Sequence, residues 1–123
     1  MNIKKSVIIT IPVLNEEKTL RQQINLLSDF ISTNLETDYE VSIVIANNGS
    51  TDSTQSIGSE LAMQNSNIHM VSSSKKGVGL ALKTSWQNYP GDFLGYMDLD
   101  FASDLSHIQE SIVKLENTDA DII

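Results

Sequence analysis

The chain has 123 residues, 40% of them hydrophobic, and a formal net charge of −8. That suffices for one domain with a real core and is too little for two ordinary ones. The charge excludes a general nucleic-acid binder, which needs a broad positive field. The absence of cysteine excludes disulfides, thiolate catalysis and cysteine metal sites.

Val7-Ile8-Ile9-Thr10-Ile11 is a short, β-branched apolar run that reads as a buried strand ended by Pro12. It is too short to span a membrane, and no small-residue cleavage site follows, so it opens a cytoplasmic domain. Asn15 is placed to cap a helix, with Glu16 and Glu17 in a first turn where the helix dipole favours them. Leu20, Ile24, Leu27 and Ile31 then form one apolar helical stripe. Val41 to Ala46 reads as a second strand, Asn47-Asn48-Gly49-Ser50-Thr51-Asp52 as a turn rich in capping side chains, and residues 53 to 63 as a helix. Ile68 to Val71 is a third strand, followed by the polar loop Ser72 to Gly79 and a helix carrying Leu80, Ala81, Leu82 and Trp86. Pro90-Gly91-Asp92 turns the chain into a fourth strand, Phe93 to Met97. Leu105, Ile108, Ile112 and Leu115 mark a last helix. Asp119-Ala120-Asp121-Ile122-Ile123 reads as a turn entering a further strand, which suggests a truncated chain.

Continuous apolar strands alternating with amphipathic helices define an α/β fold: a mostly parallel sheet with helices on both faces. Such sheets bind ligands outside the carboxyl ends of their strands. The polar segments 12–17, 47–52, 72–79 and 98–104 all follow strands, so one sheet edge collects them.

Asp98-Leu99-Asp100 closes the fourth strand. On a regular strand the two carboxylates share a face, and like charges that close need a cation or donors between them. Mg²⁺ and Mn²⁺ prefer such hard oxygens, and a nucleotide diphosphate can complete the shell. By itself Asp-x-Asp is a weak signal, equally able to cap the next helix. Asn47 offers both a carbonyl and an amide to a base edge, and Gly49 suits a positive φ. Thr51 and Asp52 serve as helix caps at least as readily as ligand contacts. Lys76 precedes the glycine-containing helix start Gly77-Val78-Gly79, where a phosphate can meet a cation and free N–H groups. The alternative is a solvated surface lysine. Glu16 either touches a base or ribose or only favours the helix terminus. His69 and His107 lack a partner at metal-ligand spacing and read as structural. The dinucleotide fingerprint, the phosphate loop and the nucleophile elbow of hydrolases are all absent.

Together, Ile9 to Glu17, Asn47 to Asp52, Lys76 to Ala81 and Asp98-Leu99-Asp100 resemble the inverting family 2 glycosyltransferases of GT-A fold, in the family's order and near its spacings. The flavour is that of polyprenyl- or dolichyl-phosphate mannose and glucose synthases. The resemblance spans nearly all of residues 1–123 and implies the donor-binding part of such an enzyme. It implies Pro12, Leu14 and Glu16 at the nucleoside, Asn47 where the family has a base-reading aspartate, and Lys76 and Gly79 along the nucleotide. Asp98 would lie near the ribose or the metal, and Asp100 would hold Mg²⁺ or Mn²⁺ with the diphosphate. The implied partners are a nucleotide-diphospho-sugar and a lipid-phosphate or glycan acceptor. Any membrane association would come through a part beyond Ile123, at the cytoplasmic face.

Three positions depart from the family pattern. The usual Asp-Asp-Gly-Ser is Asn47-Asn48-Gly49-Ser50, which keeps an acceptor without charge assistance. Ala102 stands where a metal-assisting glutamine is common. Ser73 and Ser74 stand where an asparagine often precedes the loop lysine. Family members are also much longer, and their catalytic base lies in the later half. The expectation is that these 123 residues bind nucleotide weakly or not at all and transfer nothing. Two other readings compete: a degenerate GT-A domain acting as a binding or regulatory module, and a nucleotidyltransferase. The second needs a glycine-rich, arginine-containing signature where this chain has Val13-Leu14-Asn15-Glu16. A response-regulator sheet is disfavoured because the second strand ends in Ala46-Asn47.

Overall fold

The computed structural model describes residues 4–73 and 78–99. Lys76, Asp100, Ala102, His107, the helix expected around Leu105 to Leu115 and the closing strand all lie outside the described residues. In chain order the elements are β1 (Lys5–Val13), α1 (Leu20–Asn34), β2 (Tyr39–Asn48), α2 (Thr54–Gln64), β3 (Ile68–Ser73), α3 (Val78–Asn88) and β4 (Phe93–Tyr96).

Among the described residues the strands form one sheet in the order β3-β2-β1-β4, with every pairing parallel. The chain steps outward from β1 through β2 to β3, then returns across the sheet to place β4 on the far side of β1. The strand order therefore reverses between β1 and β4, the kind of switch point at which such sheets offer a crevice to ligands at the carboxyl ends.

Alternation along the strands builds two faces. Val7, Ile9, Ile11 and Val13 of β1, with Val41, Ile43 and Ile45 of β2, join Leu20, Ile24, Leu27 and Ile31 of α1 in the main core. All four α1 residues are fully buried, as their spacing predicts. Each contributes about 2 kcal/mol by leaving water. Helix α2 lies close on β3, because a Cβ at Gly58 would meet the Met70 side chain at 2.7 Å. On the opposite face, Thr10 of β1 and Ser85 of α3 are both fully buried, and their hydroxyls share a 2.7 Å hydrogen bond.

Two sequence expectations fail locally. β1 does not end at Pro12 but runs on to Val13, with Pro12 in register with Ala46. Met97 N–H donates to the Thr10 carbonyl, so the backbone groups of Thr10, and of Pro12 two residues on, face the β4 side. Strand β4 has ended at Tyr96, opposite Thr10, and the missing proline N–H breaks no ladder bond. Helix α1 begins at Leu20, with no acidic residue in its first turn. Asn15 does not cap it, and Glu16 and Glu17 precede it. Thr19 and Leu20 instead donate their N–H groups to the Glu16 carbonyl, which makes a turn ahead of the helix.

Candidate functional site

The strand register sets Val13, Asn47 and Ser72 side by side across the carboxyl ends of β1, β2 and β3. The loops leaving β1 and β2 are bound tightly to each other. Asn15 N–H donates to Ser50 Oγ at 2.9 Å, Glu16 N–H to Thr54 Oγ1 at 2.8 Å and Glu17 N–H to Asp52 Oδ2 at 3.3 Å. In return, Thr51 N–H donates to Asn15 Oδ1 at 2.8 Å, and Ser53 N–H to Glu17 Oε2 at 3.0 Å. Asn15 holds φ at 52°, a left-handed conformation that asparagine tolerates better than most residues. Gly49 holds φ at 79°, where glycine meets no Cβ penalty, as its sequence context predicts.

Asp52 is the centre of this arrangement. Its Oδ1 accepts from Thr54 N–H at 2.9 Å and from the Thr54 hydroxyl, so it caps α2 from two residues away. Burial pushes the Asp52 carboxyl up, but hydrogen bonds from the Thr54 hydroxyl, Thr54 N–H, Glu17 N–H and its own N–H outweigh that, and its pKa falls below the ordinary aspartate value. Three successive N–H groups of the β1–α1 loop would otherwise form an anion-binding concavity. Here they are taken by Ser50, Thr54 and Asp52, so they are not open to an anion.

Asn47 is 2% exposed. Its Oδ1 accepts from Ser50 N–H and its Nδ2 donates to Gln55 Oε1, each at 3.2 Å. A carboxylate in its place would set one acceptor against another at Gln55 unless that amide turned, which suits the asparagine found here. Pro12 is half-buried at the end of β1. Leu14, 36% exposed, is an apolar surface at the rim. Glu16 is half-buried and takes the Thr19 hydroxyl at 3.5 Å. Gly79 lies in the first turn of α3.

Asp98 lies two residues beyond β4 and is exposed, with Tyr96 half-exposed before it and Leu99 buried in the core behind it. Leu99 anchors the segment from below while Asp98 faces solvent. Among the described residues, no group of three His, Asp or Glu side chains is placed to hold a metal ion. Asp98 supplies one hard oxygen donor at the right end of the sheet, and the second carboxylate of the motif, Asp100, is outside the described residues.

Sequence reasoning overlooked Ser50, Thr54 and Gln55. Serine and threonine next to a turn signal a cap, but nothing in their spacing points to a neighbouring loop. It also gave no hint of a cleft of about 530 Å³ lined by Lys4, Glu36, Tyr39, Glu40, Asn67 and His69. That cleft lies at the amino ends of β2 and β3, the wrong end for this fold's ligands. His69 itself stacks on Tyr89, with ring centroids 4.4 Å apart and planes 18° apart, in keeping with a structural role.

A parallel sheet with this order and helices on both faces defines a Rossmann-like domain of the GT-A glycosyltransferase kind. The chain belongs to glycosyl transferase family 2, whose profile matches residues 8–123. It is similar to the glycosyltransferase AglD of Haloferax volcanii, with 28% identity over 114 residues covering 92% of this chain and 18% of that protein. It is also similar to the glycosyltransferase GlyA of Streptococcus pneumoniae, 26% identical over 99% of this chain and 17% of that protein. The chain thus spans under a fifth of these relatives' length. Its fold matches the mannosyltransferase PcManGT of Pyrobaculum calidifontis, solved with GDP-Man and Mn²⁺, at a TM-score of 0.65 and 20% identity, covering 80% of this chain and 28% of that one. The S. aureus TarS 1–349 structure with UDP matches at 0.61 and 23% identity, covering 77% and 27%.

Proposed function

We propose that this chain is the donor-binding part of a metal-dependent, inverting glycosyltransferase. Its donor would be a nucleotide-diphospho-sugar of the UDP-glucose or GDP-mannose type, and its acceptor a polyprenyl phosphate or a glycan. The observation that carries this reading is the reversal of strand order between β1 and β4, with the exposed residues Leu14 just after β1 and Asp98 just after β4. The fold relative solved with GDP-Man and Mn²⁺ supports the same donor and cation class.

In this reading the nucleoside lies along Pro12, Leu14 and Glu16 and reaches Asn47, with Lys76 and Gly79 bordering the nucleotide. Asp98 and Asp100 would hold Mg²⁺ or Mn²⁺. The bound cation supplies positive charge to the departing nucleoside diphosphate. Asp98 keeps its carboxylate at the crevice because Leu99 is locked into the core behind it. Because the N–H groups of residues 15–17 are already engaged, the diphosphate would be met by other groups of the site. Inversion also needs a base for an acceptor hydroxyl, or an acceptor phosphate that is already ionised. No residue of this chain is assigned that role, and the 123 residues alone are expected to bind nucleotide weakly and to transfer no sugar. Membrane contact would be made outside these residues, with the domain on the cytoplasmic side. Among the described residues, no helix is long and apolar enough to cross a membrane.

One observation favours a second reading, a non-catalytic nucleotide-binding module: the Asn47 side chain is engaged at both ends within its own domain. Titration with UDP-glucose and GDP-mannose, with and without Mn²⁺, tests both. Mn²⁺-dependent binding that perturbs Asp98 supports the transferase reading. Binding indifferent to the cation favours the module. Sugar transfer by the 123 residues alone would overturn the division of labour proposed here.

A further inference from the structure

We infer that Thr54, acting with Asp52, is a positioning residue for the nucleoside side of the donor site. The inference rests on the donor-binding reading above and names the device that shapes that site. Thr54 is fully buried, and its single hydroxyl does two jobs. It accepts the Glu16 N–H at 2.8 Å and donates to Asp52 Oδ1. Asp52 Oδ2 meanwhile takes the Glu17 N–H. One side chain on α2 and one just ahead of it thereby fix two consecutive peptide groups of a different loop.

The loop so held carries strain. Asn15 sits at φ 52°, and it stays there against Ser50 and Thr51. Without these partners the segment has no regular ladder to hold it, since β1 ends at Val13 and α1 starts at Leu20. Leu14 and Glu16 flank Asn15 directly. Their presentation to a nucleoside is set through the bond from the Glu16 N–H to the Thr54 hydroxyl at the start of α2. A loop held by these bonds before a nucleotide arrives would cost less ordering entropy on binding.

Three variants and two measurements test this. Thr54→Val keeps the branched shape and removes the hydroxyl. Thr54→Ser keeps the hydroxyl and removes the methyl. Asp52→Asn weakens the acceptor. The first measurement is amide hydrogen exchange of the protein without nucleotide. In Thr54→Val, the Glu16 and Glu17 amides should exchange about tenfold faster or more, while the Ile43 and Ile45 amides of β2 keep wild-type rates. Asp52→Asn should act mainly at Glu17. The second is UDP and GDP affinity with Mn²⁺ by NMR titration, which reads weak binding. Thr54→Val should weaken it about tenfold, and Thr54→Ser should restore both readouts. Unchanged Glu16 exchange in Thr54→Val overturns the inference. So does an affinity loss that follows global stability and is not rescued by serine. If the wild-type protein binds neither nucleotide, the donor-binding reading fails, and with it the claim that Thr54 shapes a nucleoside site, whereas the exchange result still decides whether Thr54 holds the loop.

Discussion

The two ends of the sheet differ in an instructive way. The amino end holds the roomy cleft of about 530 Å³, with Lys4, Glu36, Glu40 and His69 around it. At the carboxyl end, the loops leaving β1 and β2 are stitched together through Asn15, Asp52 and Thr54. Topology and chemistry favour the carboxyl end, since the strand order reverses beside it and the acidic motif follows β4 there. A prepared binding surface is marked by groups held in place, while an open cleft at loop starts needs only loose packing.

The largest effect that separates the two ends should come from Asp98→Ala. On the proposed role of Asp98 in holding the cation, its loss is expected to take the weak Mn²⁺-dependent nucleotide binding below detection in an NMR titration with UDP and GDP. The fold should survive, because Asp98 is exposed. An affinity within threefold of wild type would remove the carboxyl end's claim. Next in size is Thr10→Val, which strands the buried Ser85 hydroxyl under the same end of β1. It should cost about 1–3 kcal/mol in urea unfolding, and Thr10→Val with Ser85→Ala should recover part of it.

A smaller effect is pH-dependent. The folded Asp52 pKa lies below its unfolded value, so its contribution to stability is complete above the ordinary aspartate range. It should be lost as pH falls from about 4 through the folded pKa. Thermal unfolding from pH 6 to pH 2.5 should show Asp52→Asn with a shallower acid slope than wild type, and identical slopes would show that the carboxylate is not what ties the loops. The smallest effect belongs to the amino end. His69→Ala and Glu40→Gln should change nucleotide affinity less than twofold, and a larger change would mean that the cleft and the crevice are one system.

Much of the fold was legible before any coordinates. The α1 stripe of Leu20, Ile24, Leu27 and Ile31 is buried as spaced, and α2 and β4 begin within a residue of where the turns at 47–52 and 90–92 put them. Periodicity reports which face leaves water, and that is a local property of the chain. Boundaries set by long-range partners were less legible. Pro12 looked like a stop because its missing N–H usually breaks a ladder, yet the neighbouring strand has already ended there. Glu16 and Glu17 looked like first-turn acids, yet their N–H groups go to residues more than thirty positions away.

The site divides along the same line. The residue types were readable: the carboxylate at Asp98, the amide at Asn47 and the glycine at Gly49 each announce a chemistry or a backbone need. Sequence order also placed each of them after a strand, and a parallel sheet sends all such segments to one edge. What only the tertiary structure decided is which of these groups remain free. Asn47 is buried and bonded at both ends, Asp98 is open to solvent, and Asp52 and Thr54 serve the loop beside them. A hydrogen bond across two loops depends on the packing that brings them together, and no local spacing encodes it.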